Sequence, residues 1–173
     1  MEITINPLQD SVSSVMIKTP TSVVICSLLF EQKTEQDPNI RVIFSTEEND
    51  EIQEIIRNII GKTIVERNAV TQFQIYFYEV VRGIDSFSAC VNAFSICAIL
   101  GNINTINTLS SASIVDSNLS FVANMAYQIE SESCINFYYR GTCEDVSQLY
   151  DRCVNDCKNN AIILKTQLSK YIS

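Results

Sequence analysis

The sequence predicts a mixed α/β fold of the α+β kind, with mixed sheets, a buried central helix and a long C-terminal helix. Three observations carry this. Residues 83–100 are apolar on nearly every side and hold no charge after Asp85, the pattern of a helix buried between layers. Strand-like runs outnumber the helices available as crossovers, which argues against a doubly wound parallel sheet. The C-terminal segment carries one apolar stripe at helical spacing. At 173 residues the chain is long enough for a substantial core and reads as a single domain over 1–173.

Taken in order, 12–17 and 22–30 are β-like runs around Thr19-Pro20-Thr21. The second contains Val23-Val24-Ile25-Cys26-Ser27-Leu28-Leu29, a continuous run suited to a central strand. Residues 31–39, with Pro38, read as a loop, and 40–44 as a short strand. Ser45 and Thr46 are expected to cap a helix whose first turn holds Glu47, Glu48 and Asp50. Ile52, Ile55, Ile56, Ile59 and Ile60 give that helix its apolar face, and Gly61 is expected to end or loosen it. In 71–81, Phe73, Ile75 and Phe77 alternate with Gln72, Gln74 and Tyr76, as in a strand.

The central helix follows. Asp85 and Ser86 are good N-cap types. Small residues such as Ala89, Cys90, Ala93 and Cys97 let neighbours approach, and Asn92 must find partners for a buried amide. Asp85, Ser88, Asn92 and Ser95 interrupt the stretch too often for a membrane span, so no membrane partner is expected. Short strands are expected over 108–115, 119–125, 127–130 and 134–139, with a turn at Asp116-Ser117-Asn118 and a last turn at Arg140-Gly141. Val146, Leu149, Cys153, Cys157, Leu164 and Leu168 mark the final helix.

Composition narrows function. Twelve Lys and Arg stand against twenty acids, a net charge of −8, which disfavours strong autonomous binding to nucleic acid. The chain has no histidine, so no serine or cysteine has the usual base to activate it. Its seven cysteines form no Cys-x-x-Cys pair, and Met1-Glu2-Ile3-Thr4 does not read as a secretory signal. Reduced, mostly buried thiols of a cytosolic or nuclear protein are expected. Cys153 and Cys157 are one helical turn apart without further ligands, so they read as core thiols rather than zinc ligands.

The order of elements and several strings resemble the RNase PH-like subunits of the RNA exosome ring. The strings are Ser22-Val23-Val24-Ile25-Cys26-Ser27-Leu28 followed by Glu31-Gln32-Lys33, then Glu51-Ile52-Gln53-Glu54-Ile55-Ile56. The hallmark buried helix is matched by Cys90-Val91-Asn92-Ala93-Phe94-Ser95-Ile96-Cys97-Ala98, and the last helix by Val146-Ser147-Gln148-Leu149-Tyr150. The resemblance is closest to a small non-catalytic subunit. It implies as partners other RNase PH-like ring subunits, RNA-binding cap subunits and single-stranded RNA threaded through the assembled channel. It also implies residence in the nucleus, including the nucleolus, and the cytoplasm.

The departures from active relatives bear on chemistry. The resemblance places phosphate- and RNA-gripping arginines in the loop before the first helix and near a Gly-Arg-Thr element, and metal-assisting acids after the equivalent of 108–115. Here that loop is Phe44-Ser45-Thr46-Glu47-Glu48-Asn49-Asp50, and acids there repel phosphate. Tyr78-Glu79-Val80-Val81-Arg82-Gly83 keeps a single arginine, and Asp116 is the only carboxylate between 108 and 128. Asp116 also reads as an ordinary turn residue. No catalytic residue, metal ligand or cofactor is therefore expected, and Arg82 is the candidate RNA contact, although it also suits an ion pair. Two other classes stay open: an active phosphorolytic 3′–5′ exoribonuclease, and an unrelated protein-interaction adaptor.

Overall fold

The computed structural model describes residues 1–32, 38–46, 50–65, 71–116 and 120–172. Lys33 of the Glu-x-Lys string, Glu47, Glu48 and Asn49 before the first helix, and Ser117, Asn118 and Leu119 after Asp116 lie outside them. The described elements run β1 (Glu2–Ile5), β2 (Ser13–Lys18), β3 (Val23–Gln32), β4 (Ile40–Phe44), α1 (Glu51–Thr63), β5 (Thr71–Val81), α2 (Ser86–Leu100), β6 (Leu109–Val115), β7 (Phe121–Gln128), β8 (Ser133–Gly141) and α3 (Val146–Ile172). Two sheets form, one in the order β1-β2-β3-β5-β4 and one in the order β6-β7-β8. Among the described strands only β4 and β5 pair in parallel, with α1 as their crossover. The fold is thus α+β with mixed sheets, and no described helix is long and apolar enough to cross a membrane.

The period of two explains the first sheet. In β3, Val24, Cys26 and Leu28 face the core and meet Glu79, Phe77 and Ile75 of β5 in register. Across β2, Val15 and Ile17 continue the same buried face. α2 lies on that face, and every residue from Ser86 to Ala98 is buried. Phe77, Phe87 and Phe94 are among the largest side chains fully removed from water, each contributing about 1.5–3 kcal/mol.

Asn92 explains how the second sheet is joined. β6 is an edge strand, and an open edge leaves main-chain groups unpaired. Asn92 Nδ2 donates to the Ser111 carbonyl at 2.9 Å, and the Ser111 N–H donates to Asn92 Oδ1 at 2.8 Å. A side chain of α2 therefore closes the edge of β6. Asn160 Nδ2 of α3 donates to the same carbonyl at 2.9 Å.

α3 joins the two halves of the core. Leu149, Cys153 and Cys157 pack with Ala112, Met125 and Tyr127. Further along, Leu164 and Leu168 pack with the cluster under the first sheet. At 27 residues the helix is about 40 Å long, enough to reach both. Near its end the Tyr171 hydroxyl accepts from Asn6 Nδ2 at 2.8 Å.

Several boundaries differ from the sequence reading. β1 was not expected; it is a four-residue edge strand with alternate residues half-buried, too short to leave a pattern. Asp50, not Ser45 or Thr46, caps α1, its Oδ1 accepting from the Ile52 N–H at 3.0 Å. Gly61 does not end α1, which continues to Thr63, where Thr63 Oγ1 back-bonds to Ile59 O. No separate strand covers 127–130: β7 runs through to Gln128 across a register shift between Ala126 and Tyr127. A bulge changes which residues face the core and so breaks the alternation.

Candidate functional site: a cleft at the start of the central helix

A cleft of about 410 Å³ opens where the end of β5 and the start of α2 face β7 and β8. Its backbone is set by two glycines. A Cβ on Gly83 would sit 2.2 Å from the Thr21 carbonyl oxygen, so only glycine lets the β5–α2 link lie against the β2–β3 turn. Gly141 has φ +111°, and a Cβ there would sit 2.1 Å from the Ser120 carbonyl oxygen.

The close approach at Gly83 assembles a polar knot. The Gly83 N–H donates to Ser86 Oγ at 2.9 Å and to Ser22 Oγ at 3.1 Å. Asp85 holds the N-cap position of α2, yet its carboxylate accepts no helix N–H. It accepts instead from the Thr21 and Ser22 hydroxyls. Burial pushes the Asp85 carboxyl up, but hydrogen bonds from Ser22, Thr21 and Thr19 outweigh it and hold the group below its ordinary value.

Arg82 lines the cleft and is paired. Its guanidinium contacts Asp50 Oδ2 at the start of α1, and its Nε lies 3.6 Å from Glu79 Oε1. The Glu79 side chain is only 4% exposed, so its charge requires a nearby cation and donors. Gln53 Nε2 supplies one donor, 3.3 Å from Glu79 Oε2. Arg82, read from the sequence as the candidate RNA contact, is thus flanked by two carboxylates from α1 and β5.

Arg140 was not singled out by the sequence, where it read as part of a turn. It lies on β8 and lines the same cleft. Unlike Arg82, it has no carboxylate partner among the described residues. The two-residue period puts Tyr138 and Arg140 on one face of β8, and that alternation is the signal that finds it. The Tyr138 hydroxyl donates to Glu51 Oε2 at 3.3 Å, and its pKa is raised by burial first and then by the Glu51 charge.

Asp116 stands at the β6–β7 turn. Its N–H donates to the Phe121 carbonyl at 3.3 Å, and its Oδ2 accepts from Ser120 Oγ at 2.6 Å. Among the described residues no three His, Cys, Asp or Glu side chains are grouped so as to hold a metal ion. Chemically, the cleft offers one arginine neutralised by two acids and a second arginine open at its wall.

The sequence matches no protein-family model and no curated protein. Its fold does match solved structures. The crystal structure of rice (Oryza sativa) Rrp46 superposes with a TM-score of 0.80 over 97% of this chain and 93% of that chain, at 12% identity. An archaeal exosome core chain gives 0.68 over 97% and 85%, also at 12% identity. A chain of the Archaeoglobus fulgidus exosome with RNA bound to the active site gives 0.62 over 91% and 85%, at 11% identity. The superpositions extend over nearly the whole chain, which has the RNase PH-like fold of exosome subunits.

Proposed function

We propose that this chain is a catalytically inert ring subunit of an RNA exosome, shaping the channel through which single-stranded RNA reaches a nuclease elsewhere in the assembly. The observation that carries this reading is the pairing of Arg82 with Asp50 and Glu79 inside the cleft. Phosphorolysis brings a phosphate anion against a polyanionic backbone and needs several converging cations or a metal. Here the acids that flank Arg82 cancel its field where an anion would sit. A net charge of −8 and the lack of histidine argue in the same direction.

In this reading the chain's partners are other RNase PH-like ring subunits and RNA-binding cap subunits, and it works in the nucleus, including the nucleolus, and the cytoplasm. RNA contact is confined to Arg82 and Arg140 and matters when neighbours complete the channel. The test is to incubate the purified chain with single-stranded RNA, magnesium and inorganic phosphate. The expected result is intact RNA and no nucleoside diphosphate. Phosphate-dependent release of nucleoside diphosphates, abolished in an Arg82→Ala, Arg140→Ala double variant, would overturn inertness and favour an active exoribonuclease.

A further inference from the structure

The loop that joins β8 to α3 carries a hydroxyl that the fold leaves free. Thr142 follows Gly141, is exposed, and donates its N–H to the Ser120 carbonyl at 3.2 Å. Its Oγ1 has no hydrogen-bond partner among the described residues. Two exposed acids follow, Glu144 and Asp145. Asp145 caps α3, its Oδ1 accepting from the Gln148 N–H at 2.9 Å. An exposed hydroxyl with carboxylates two and three positions on suits a protein kinase whose substrate groove is basic.

The other hydroxyls with an acid three positions on are those of Thr34, Ser45, Thr63 and Ser113. Thr63 is fully buried and donates to Ile59 O at 2.7 Å. Ser113 lies within β6 and donates to Asn124 Oδ1 at 2.7 Å. Ser45 is held to β5, its N–H donating to Phe77 O at 2.8 Å and its Oγ accepting from the Glu79 N–H at 3.3 Å. Thr34 is outside the described residues. Thr142 differs from these in a second way, because Arg140 stands two positions before it. Arg140 is exposed and has no carboxylate partner among the described residues.

We propose that Thr142 is a phosphate acceptor for an acid-directed serine/threonine kinase, and that its phosphate pairs with Arg140. The γ-phosphoryl group of a nucleoside triphosphate passes to Thr142 Oγ1. The bond from γ-phosphorus to the bridging oxygen breaks, a nucleoside diphosphate leaves, and the hydroxyl proton goes to the kinase's base. The product carries a charge of about −1.5 to −2 near neutral pH. Glu144 and Asp145 oppose that charge, so the phosphate is held against a cation, and a guanidinium offers it paired donors. On the ring-subunit reading above, on which this consequence rests, the same guanidinium then no longer meets RNA. Phosphorylation thus withdraws the open arginine from the cleft wall.

The test incubates the folded full chain with casein kinase II, magnesium and ATP, and maps phosphate by peptide mass spectrometry. The expected result is phosphate on Thr142, lost from that peptide in Thr142→Ala. Both Thr142 and Arg140 are exposed, so the variants should melt with the parent. Phosphorus NMR then reads the pairing. The phosphothreonine should titrate below about pH 6, and Arg140→Ala should raise that midpoint by about half a pH unit. A map with no phosphate on Thr142 would overturn the acceptor, and a midpoint indifferent to Arg140→Ala would overturn the pairing. Both measurements use the purified chain and need no neighbouring subunit, so their failure is distinct from a failure of the ring reading.

Discussion

Asn92 is 1% exposed and makes both of its hydrogen bonds to one residue, Ser111. Its role was legible in part: a lone amide in an apolar helix must be satisfied, but the partner is 19 residues away and on another sheet. Asn92→Ala leaves the Ser111 N–H without that acceptor in the core. The expected cost is about 1–3 kcal/mol, read as a lower denaturant midpoint. Asp85 shows the opposite case. Its cap position was legible, its partners were not, because Thr21 and Ser22 come from a turn more than 60 residues earlier. Unfolded aspartate titrates near about pH 3.9, and the folded carboxyl titrates lower. Ionised Asp85 therefore stabilises the fold above about pH 3.9, and that contribution is lost as pH falls through the folded value. Asp85→Asn should remove this acid arm: the variant should be less stable than the parent at neutral pH, and the gap should close below about pH 4. Parallel stability curves across this range would contradict the assignment.

At the scale of elements, α2 was the most legible part of the chain, because a helix apolar all round has one place to go. Ala93 is fully buried, and Ala93→Leu should overpack the layer at a cost of about 1–3 kcal/mol; an unchanged midpoint would mean that this face is free. The thiols test the packing of α2 and α3 together. Cys26, Cys90, Cys97, Cys153 and Cys157 are buried, whereas Cys134 and Cys143 are partly exposed. Burial first of all pushes Cys153 up to about 11 and Cys157 up to about 12, so both stay protonated and unreactive near neutral pH. A thiol reagent at pH about 7 should modify the partly exposed Cys143 first, Cys134 more slowly because burial raises its pKa, and the other five only on unfolding. Rapid labelling of Cys153 or Cys157 would show that α3 does not hold to the second sheet. The elements that the sequence hid are those whose signal is short or broken. β1 spans four residues at an edge, and the shift at Ala126 and Tyr127 interrupts the alternation of β7.

For the whole molecule, the fold follows from pattern, whereas the cleft follows from distance. The strand and helix periods point to the α+β architecture, but Arg82, Asp50 and Glu79 come together only because α1 crosses from β4 back to β5. From sequence alone Arg82 was an RNA contact or an ion-pair member whose partners had no address, and Arg140 was hidden in a turn that proves to be the end of β8. Arg140→Glu should leave the melting temperature of the isolated chain unchanged, since no described carboxylate depends on it, and should lower RNA crosslinking to this subunit within an assembled complex. Arg82→Ala should instead destabilise the isolated chain, because it leaves the nearly buried Glu79 without its cation. The central claim concerns assembly, and it is tested most directly by native mass spectrometry of the complex recovered with a tagged copy of this chain from its own cells. The account predicts one copy of the chain in a closed assembly with other RNase PH-like subunits. Recovery of the chain alone, or only with copies of itself, would contradict it.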